Sequence, residues 1–169
     1  MNTSIKYKKL EIAPLSADGS IGTEWTNCVD SAREGTAQFQ GSSADSTIHK
    51  NVQGETLDIS RTKGEMTVNW QTADMTPTAI AMLTGGTATT DAEGDNWSPA
   101  EDENQSIYLS VRITSSNNVE YTLPKVSIDT FPMVNDDDLH YFQVEGTVVK
   151  PATGKSFTYR VLKAAKPSS

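Results

Sequence analysis

This 169-residue chain has one cysteine, Cys28, so it can form no disulfide within itself and a cysteine-based zinc site is excluded. Its two histidines, His49 and His140, have no second metal-type ligand at helical or hairpin spacing. Neither accompanies a strand-turn-helix nucleophile elbow of the kind a hydrolase triad needs. Aromatic residues make up only 7% of the chain. Trp25, Trp70 and Trp97 are too few for the ringed platform on which a sugar-cleaving cleft relies, and Trp70 alternates with Met66 and Val68 as a core residue would. No segment approaches the ~20 apolar residues of a bilayer-spanning helix. No glycine-rich loop opens a helix; Gly85-Gly86 closes one, so its amides point the wrong way for a phosphate. The chain therefore reads as a non-enzyme, with no catalytic residue, metal ligand or cofactor motif.

Basic residues are also missing where they would matter. From Gly64 to Val111 there is no Lys or Arg, while Glu65, Asp74, Asp91, Glu93, Asp95, Glu101, Asp102 and Glu103 fall in that stretch. The net charge is -8. Tight nucleic-acid binding needs clustered cations that displace counterions, and only Lys6, Lys8 and Lys9, with Lys163 and Lys166 at the far end, make small basic groups. Residues Met1 to Leu10 contain three lysines and no apolar run, which is not the pattern of a secretory leader. The expectation is synthesis in the cytoplasm.

Among the features present, period-two alternation recurs along the chain. Ile5, Tyr7, Leu10 and Ile12 mark a strand ending at Pro14, followed by the turn Ala17-Asp18-Gly19. Ala37 and Phe39 suggest a second strand, Leu57 and Ile59 a third, and Met66, Val68 and Trp70 a fourth. Ile107, Leu109, Val111 and Ile113 give the cleanest alternation, and Asn117-Asn118 reads as a hairpin turn into Val119, Tyr121 and Leu123. Phe142, Val144 and Val148 lead through Lys150-Pro151-Ala152-Thr153-Gly154 into Phe157, Tyr159 and Val161, read as a closing hairpin. One helix interrupts the strands, at about residues 76–84. Thr76 is placed as its N-cap and Pro77 at its first position. Ile80 and Leu83 are spaced to dock one face, and Gly85 is expected to take a positive φ. The fold class is mainly β, with one short helix, in a single domain over residues 1–169.

Two polar stretches read as long loops. Residues 41–54 hold Ser42, Asp45, His49 and Asn51, expected to make polar contacts between subunits. Residues 84–106 are acidic and Gly-rich, with Trp97 in the middle. Asp91, Glu93 and Asp95 alternate like calcium ligands, with Asp102 further on, but Asn96 stands where the EF-hand loop needs glycine and no helices flank it. Asn135-Asp136-Asp137-Asp138 reads as a turn of solvated charge.

The order of these features resembles the major tail tube proteins of long-tailed bacteriophages and prophages. The matching pattern runs from IKYKKLEIAP (5–14) through Asp18-Gly19 and Gly22-Thr23-Glu24-Trp25 to KGEMTVNWQTADMTPTAIAMLTGGT (63–87). It continues in WSPAEDENQSIYLSVRITSSNNVEYTLPKVSI (97–128) and VVKPATGKSFTYRV (148–161). The resemblance implies an antiparallel β-sandwich or incomplete barrel flanked by a single helix. It implies homo-hexameric rings stacked into a hollow tube in the virion tail, with a tape measure protein and tail-tip initiator proteins as partners. DNA would cross the lumen during ejection without specific binding, with Glu65, Asp91, Glu93 and Asp95 as candidate lumen acids. The alternatives are an inner-tube protein of a secretion or contractile injection system, a surface β-sandwich binding module of carbohydrate or adhesin type, and a small hydrolase using acidic residues.

Overall fold

The computed structural model describes residues 7–27, 35–73, 76–100, 106–134 and 140–163. In chain order the strands are β1 (Tyr7–Pro14), β2 (Thr26–Asn27), β3 (Gln38–Gly41), β4 (Asp45–Lys50), β5 (Thr56–Thr62) and β6 (Met66–Thr72). The helix α1 (Pro77–Thr84) follows. Then come β7 (Thr87–Thr90), β8 (Asp95–Ser98), β9 (Ile107–Ser115), β10 (Val119–Met133), β11 (Tyr141–Val148) and β12 (Thr158–Val161). The fold is mainly β and antiparallel with one short helix, as the alternation predicts.

Eight strands make one curled sheet in the order β2-β1-β9-β10-β11-β6-β3, with β12 also paired to β10. The hinge of this arrangement is β10. Its first half pairs with β9 and β12, its second half with β9 and β11, and its register slips between Leu123 and Val126. An irregularity of this kind bends a strand and raises its twist, which folds the β11-β6-β3 wing over the β1-β9-β10 wing. Phe39 on β3 thereby reaches Tyr121 on β10, with ring centroids 5.4 Å apart. Along the path β2 to β3 the sheet does not close into a barrel.

The core lies between the wings. Leu10 and Ile12 of β1, Val68 and Trp70 of β6, and Leu109, Val111 and Ile113 of β9 point inward. They meet Leu123, Val126 and Ile128 of β10, Val144 of β11 and Leu83 of the helix. Gly146 on β11 sits between two crowded neighbours in the same sheet, β10 and β6. A Cβ there would lie 2.7 Å from a Val126 methyl and 2.9 Å from a Val68 methyl, so no other residue fits without displacing the core. Ser110 points away from this core yet is buried, because the β1–β2 connection covers it. Its hydroxyl accepts the Gly22 N–H at 2.9 Å and donates to the Pro124 carbonyl at 2.7 Å.

The helix begins after Thr76, whose backbone is extended and whose side chain makes no capping hydrogen bond, with Pro77 in the first turn. Ile80 and Leu83 are buried. Gly85 ends the helix at φ 76 and ψ -162, donating its N–H to the Ala81 carbonyl; that region of backbone space is open to glycine almost alone. Gly86, at φ 84, leaves no room for a Cβ, which would collide with the Ser98 carbonyl and stand 3.0 Å from Trp97 Nε1.

Three sequence expectations need correction. Residues 41–54 are not a loop: they contain β4, which pairs with β5 from Asp45↔Thr62 to Lys50↔Thr56. Residues 84–106 are not a loop throughout either. They hold the β7–β8 hairpin, and Trp97 lies within β8, donating Nε1–H to the Gly85 carbonyl at 2.9 Å. The indole thus ties that hairpin to the end of the helix. Finally, β11 and β12 do not form a hairpin. Residues Tyr159 and Val161 pair with Tyr121 and Val119 of β10, because the bend in β10 leaves its first half with an open edge that β12 fills. In the first two cases polar composition concealed pairing that rests on backbone amides; in the third the strand was legible and only its partner was not.

Candidate functional site

The β4–β5 hairpin is an arm whose two strands are exposed along their whole length, with only Asn51 in its turn half-buried. Two three-residue connectors attach it, 42–44 from β3 and 63–65 into β6. They are locked together: Ser42 donates both its N–H (2.8 Å) and its hydroxyl (3.2 Å) to the Glu65 carbonyl. A Cβ on Gly64 would strike the Ser42 carbonyl. The root is therefore stiff, and the arm is held off its own body.

The polar residues expected to make inter-subunit contacts fall at distinct places on this arm. Ser42 is in the root. Asp45 opens β4 opposite Thr62. His49 stands opposite Asp58, and its Nε2 lies 2.9 Å from the Ser60 hydroxyl. Asn51 builds the turn: its Oδ1 accepts the N–H groups of Gln53 (3.0 Å) and Glu55 (2.9 Å), and its Nδ2 donates to the Glu55 carboxylate at 3.0 Å. Asn51 is thus engaged locally, not presented outward.

Sequence reasoning missed the arm's other feature, its aliphatic residues. Ile48 and Ile59 are cross-strand partners, 53% and 45% exposed, and Leu57 is 68% exposed. Leu57, Ile59 and Arg61 share a face by strand alternation. Val52 projects from the tip, fully exposed. The signal was available: Leu57 and Ile59 alternate as a buried strand would, but with no body against which to bury.

Strand edges are open elsewhere. Of the strands in the large sheet, β3 pairs only with β6, β12 only with β10 and β2 only with β1 among the described residues. Where the two wings splay, between β3 and β12, a groove of about 370 Å³ opens, lined by Phe39, Ile113, Val119, Tyr121 and Tyr159 together with Ser115 and Asn117. Tyr121 packs edge-on to Tyr159 at 5.3 Å, and Phe39 to Phe157 at 6.3 Å.

The acids divide between two elements. Glu65 is exposed in the root of the arm. Asp91, Glu93 and Asp95 are exposed at the β7–β8 turn. Asp91 Oδ1 accepts the Glu93 and Gly94 N–H groups at 2.8 and 3.0 Å, and Oδ2 accepts from Asn96 at 2.8 Å. These donors, led by the Glu93 amide, hold the Asp91 carboxyl below the usual carboxylate range. Its oxygens close the turn. Asp95 accepts a hydrogen bond from the Thr90 hydroxyl at 2.6 Å. Among the described residues no three His, Cys, Asp or Glu side chains converge as metal ligands. Asp74, Asp102 and the run Asn135–Asp138 lie outside the described residues, as does Cys28.

The tryptophans are engaged within the fold. Trp70 is fully buried, Trp97 is tied to Gly85, and the Arg112 guanidinium lies 4.2 Å over Trp25 while bonding Glu11 at 2.7 Å. No helix among the described residues is long and apolar enough to cross a membrane. No family model and no curated protein matches the chain.

Proposed function

We propose that this protein is a structural subunit of the phage tail-tube type, which self-associates into hexameric rings stacked as a conduit for DNA. One observation carries the reading: a stiffly rooted, exposed β-hairpin arm bearing four large aliphatic side chains on a body with open strand edges among the described residues. Exposed aliphatic surface and open edges are liabilities in a monomer and assets in an assembly. Contacts between unlike patches on identical copies close into rings or extend into tubes. The acidic stretch supports the conduit, since phosphates find no cations there to neutralise them. Tape measure and tail-tip proteins are the partners this reading requires.

The test is electron microscopy of purified protein at high concentration, alone and with a cognate tail-tip initiator. Six-fold rings or tubes are expected. Compact monomers under both conditions would overturn the reading.

A further inference from the structure

Among the described residues the core of this subunit is left uncovered at one end. On β12, Tyr159 and Val161 stand opposite Tyr121 and Val119, so they lie on the face of the sheet that carries the groove residues. They are nevertheless 57% and 61% exposed. Side chains on the core face of a strand are normally covered by the opposing layer. Among the described residues that layer stops at β3, which has no strand on its outer edge, and the gap between β3 and β12 is the aromatic groove.

The same chain carries a cover of matching chemistry that cannot reach the gap in its own subunit. The arm is rooted directly after β3, but its two short connectors are clamped by Ser42 and Glu65 and its strands are exposed throughout. Charge also matches. Residues 149–163, which include β12, hold Lys150, Lys155, Arg160 and Lys163 and no acid; Arg160 is paired with Glu120 of β10 at 2.8 Å, which leaves the three lysines. The arm and its turn hold Asp45, Glu55 and Asp58 against Lys50 and Arg61. In a chain whose net charge is -8, the β12 strip is the basic exception, and it borders the groove.

Resting on the self-association reading above, we infer that the groove between β3 and β12 is the receptor for the β4–β5 arm of a second copy of this chain. Ile48, Leu57 and Ile59 fill the aromatic groove, the outer edges of β3 and β12 offer backbone pairing to the incoming strands, and Lys155 and Lys163 face the arm's carboxylates. Each strand of the arm is about 20 Å long at the usual rise per residue, enough to run the length of the four-residue β12. Because arm and groove are different patches, each copy gives an arm and receives one.

The experiment uses two single-cysteine proteins in a Cys28→Ser background, Ile48→Cys and Val161→Cys, mixed and mildly oxidised. Both positions are more than half exposed, and circular dichroism checks each variant for the native β spectrum. The expected result is a disulfide-linked pair containing one of each variant, with Ile59→Asp in the arm lowering its yield at least about tenfold, the effect of removing one buried aliphatic side chain. Rings or tubes that form without the mixed cross-link would overturn the groove assignment and leave the tube reading standing. Mixed cross-links confined to closed two-fold dimers would keep the groove and overturn the tube. Folded monomers with no cross-link overturn the groove assignment.

Discussion

Leu83 is 5% exposed and belongs to the same cluster as Trp70 and Leu123. The substitution Leu83→Ala is expected to cost about 2–5 kcal/mol, through lost transfer energy and the cavity left behind, read as the shift in a urea unfolding midpoint. A midpoint that barely moves would mean that the helix contributes little to the fold. Asp91 tests the acidic turn in a different way. Its carboxyl is held below the ordinary carboxylate range by the Glu93 and Gly94 amides and the Asn96 side chain. A lowered folded pKa means that the contribution is complete above the unfolded value and disappears as pH falls through the folded one. The Gly94 amide resonance should therefore shift on acidification with a midpoint below the ordinary aspartate range. A midpoint at or above the ordinary aspartate range would contradict the geometry of the turn.

At the scale of elements, the arm separates folding from assembly. It is exposed along its length and adds nothing to the clustered core. Excising residues 44–62 and joining the root with two glycines should leave the thermal midpoint within a few degrees of the parent, since about 1 kcal/mol shifts a domain of this size by roughly 2–4 °C. The same protein should form no rings or tubes. Removing residues 43–51 alone is a poorer experiment, because it would leave β5 as a strand without its partner. Tubes of parental appearance from the full excision would show that the arm is dispensable. The β7–β8 hairpin differs in kind: Trp97 ties it to Gly85, so Trp97→Phe should loosen the hairpin and raise amide exchange across residues 87–98 without unfolding the body.

For the whole molecule, the prediction concerns DNA. The stretch from Gly64 to Val111 carries eight acids and no base, and Glu65, Asp91, Glu93 and Asp95 are all exposed. Repulsion is screened over about 8 Å at physiological salt, so only acids close to a passing duplex act on it. The expected outcome is negligible affinity of subunit or tube for duplex DNA at that salt, measured by fluorescence anisotropy. Submicromolar binding with a steep salt dependence would assign the basic β12 strip to phosphates and overturn the acidic conduit.

What the sequence determined by itself was whatever depends on near neighbours. Period-two alternation marked β1, β6, β9 and β10, because a half-buried strand must alternate whatever it packs against. Pro77 and the Gly85-Gly86 pair bracketed the helix through backbone sterics alone. Asn117-Asn118 marked the hairpin turn, and Asn118 sits at φ 62. The tertiary structure alone decided what lies beyond that range. That β12 pairs with β10 follows from the bend between Leu123 and Val126; no local pattern near Tyr159 specifies its partner. The polar β4 strand escaped notice because backbone hydrogen bonds to β5 hold it, with no apolar face against the body to announce it. Leu57 and Ile59 alternate like core residues, and only the clamped root shows that their own core is out of reach. The uncovered groove was equally hidden, since whether Tyr159 is covered depends on where the opposite wing of the sheet ends.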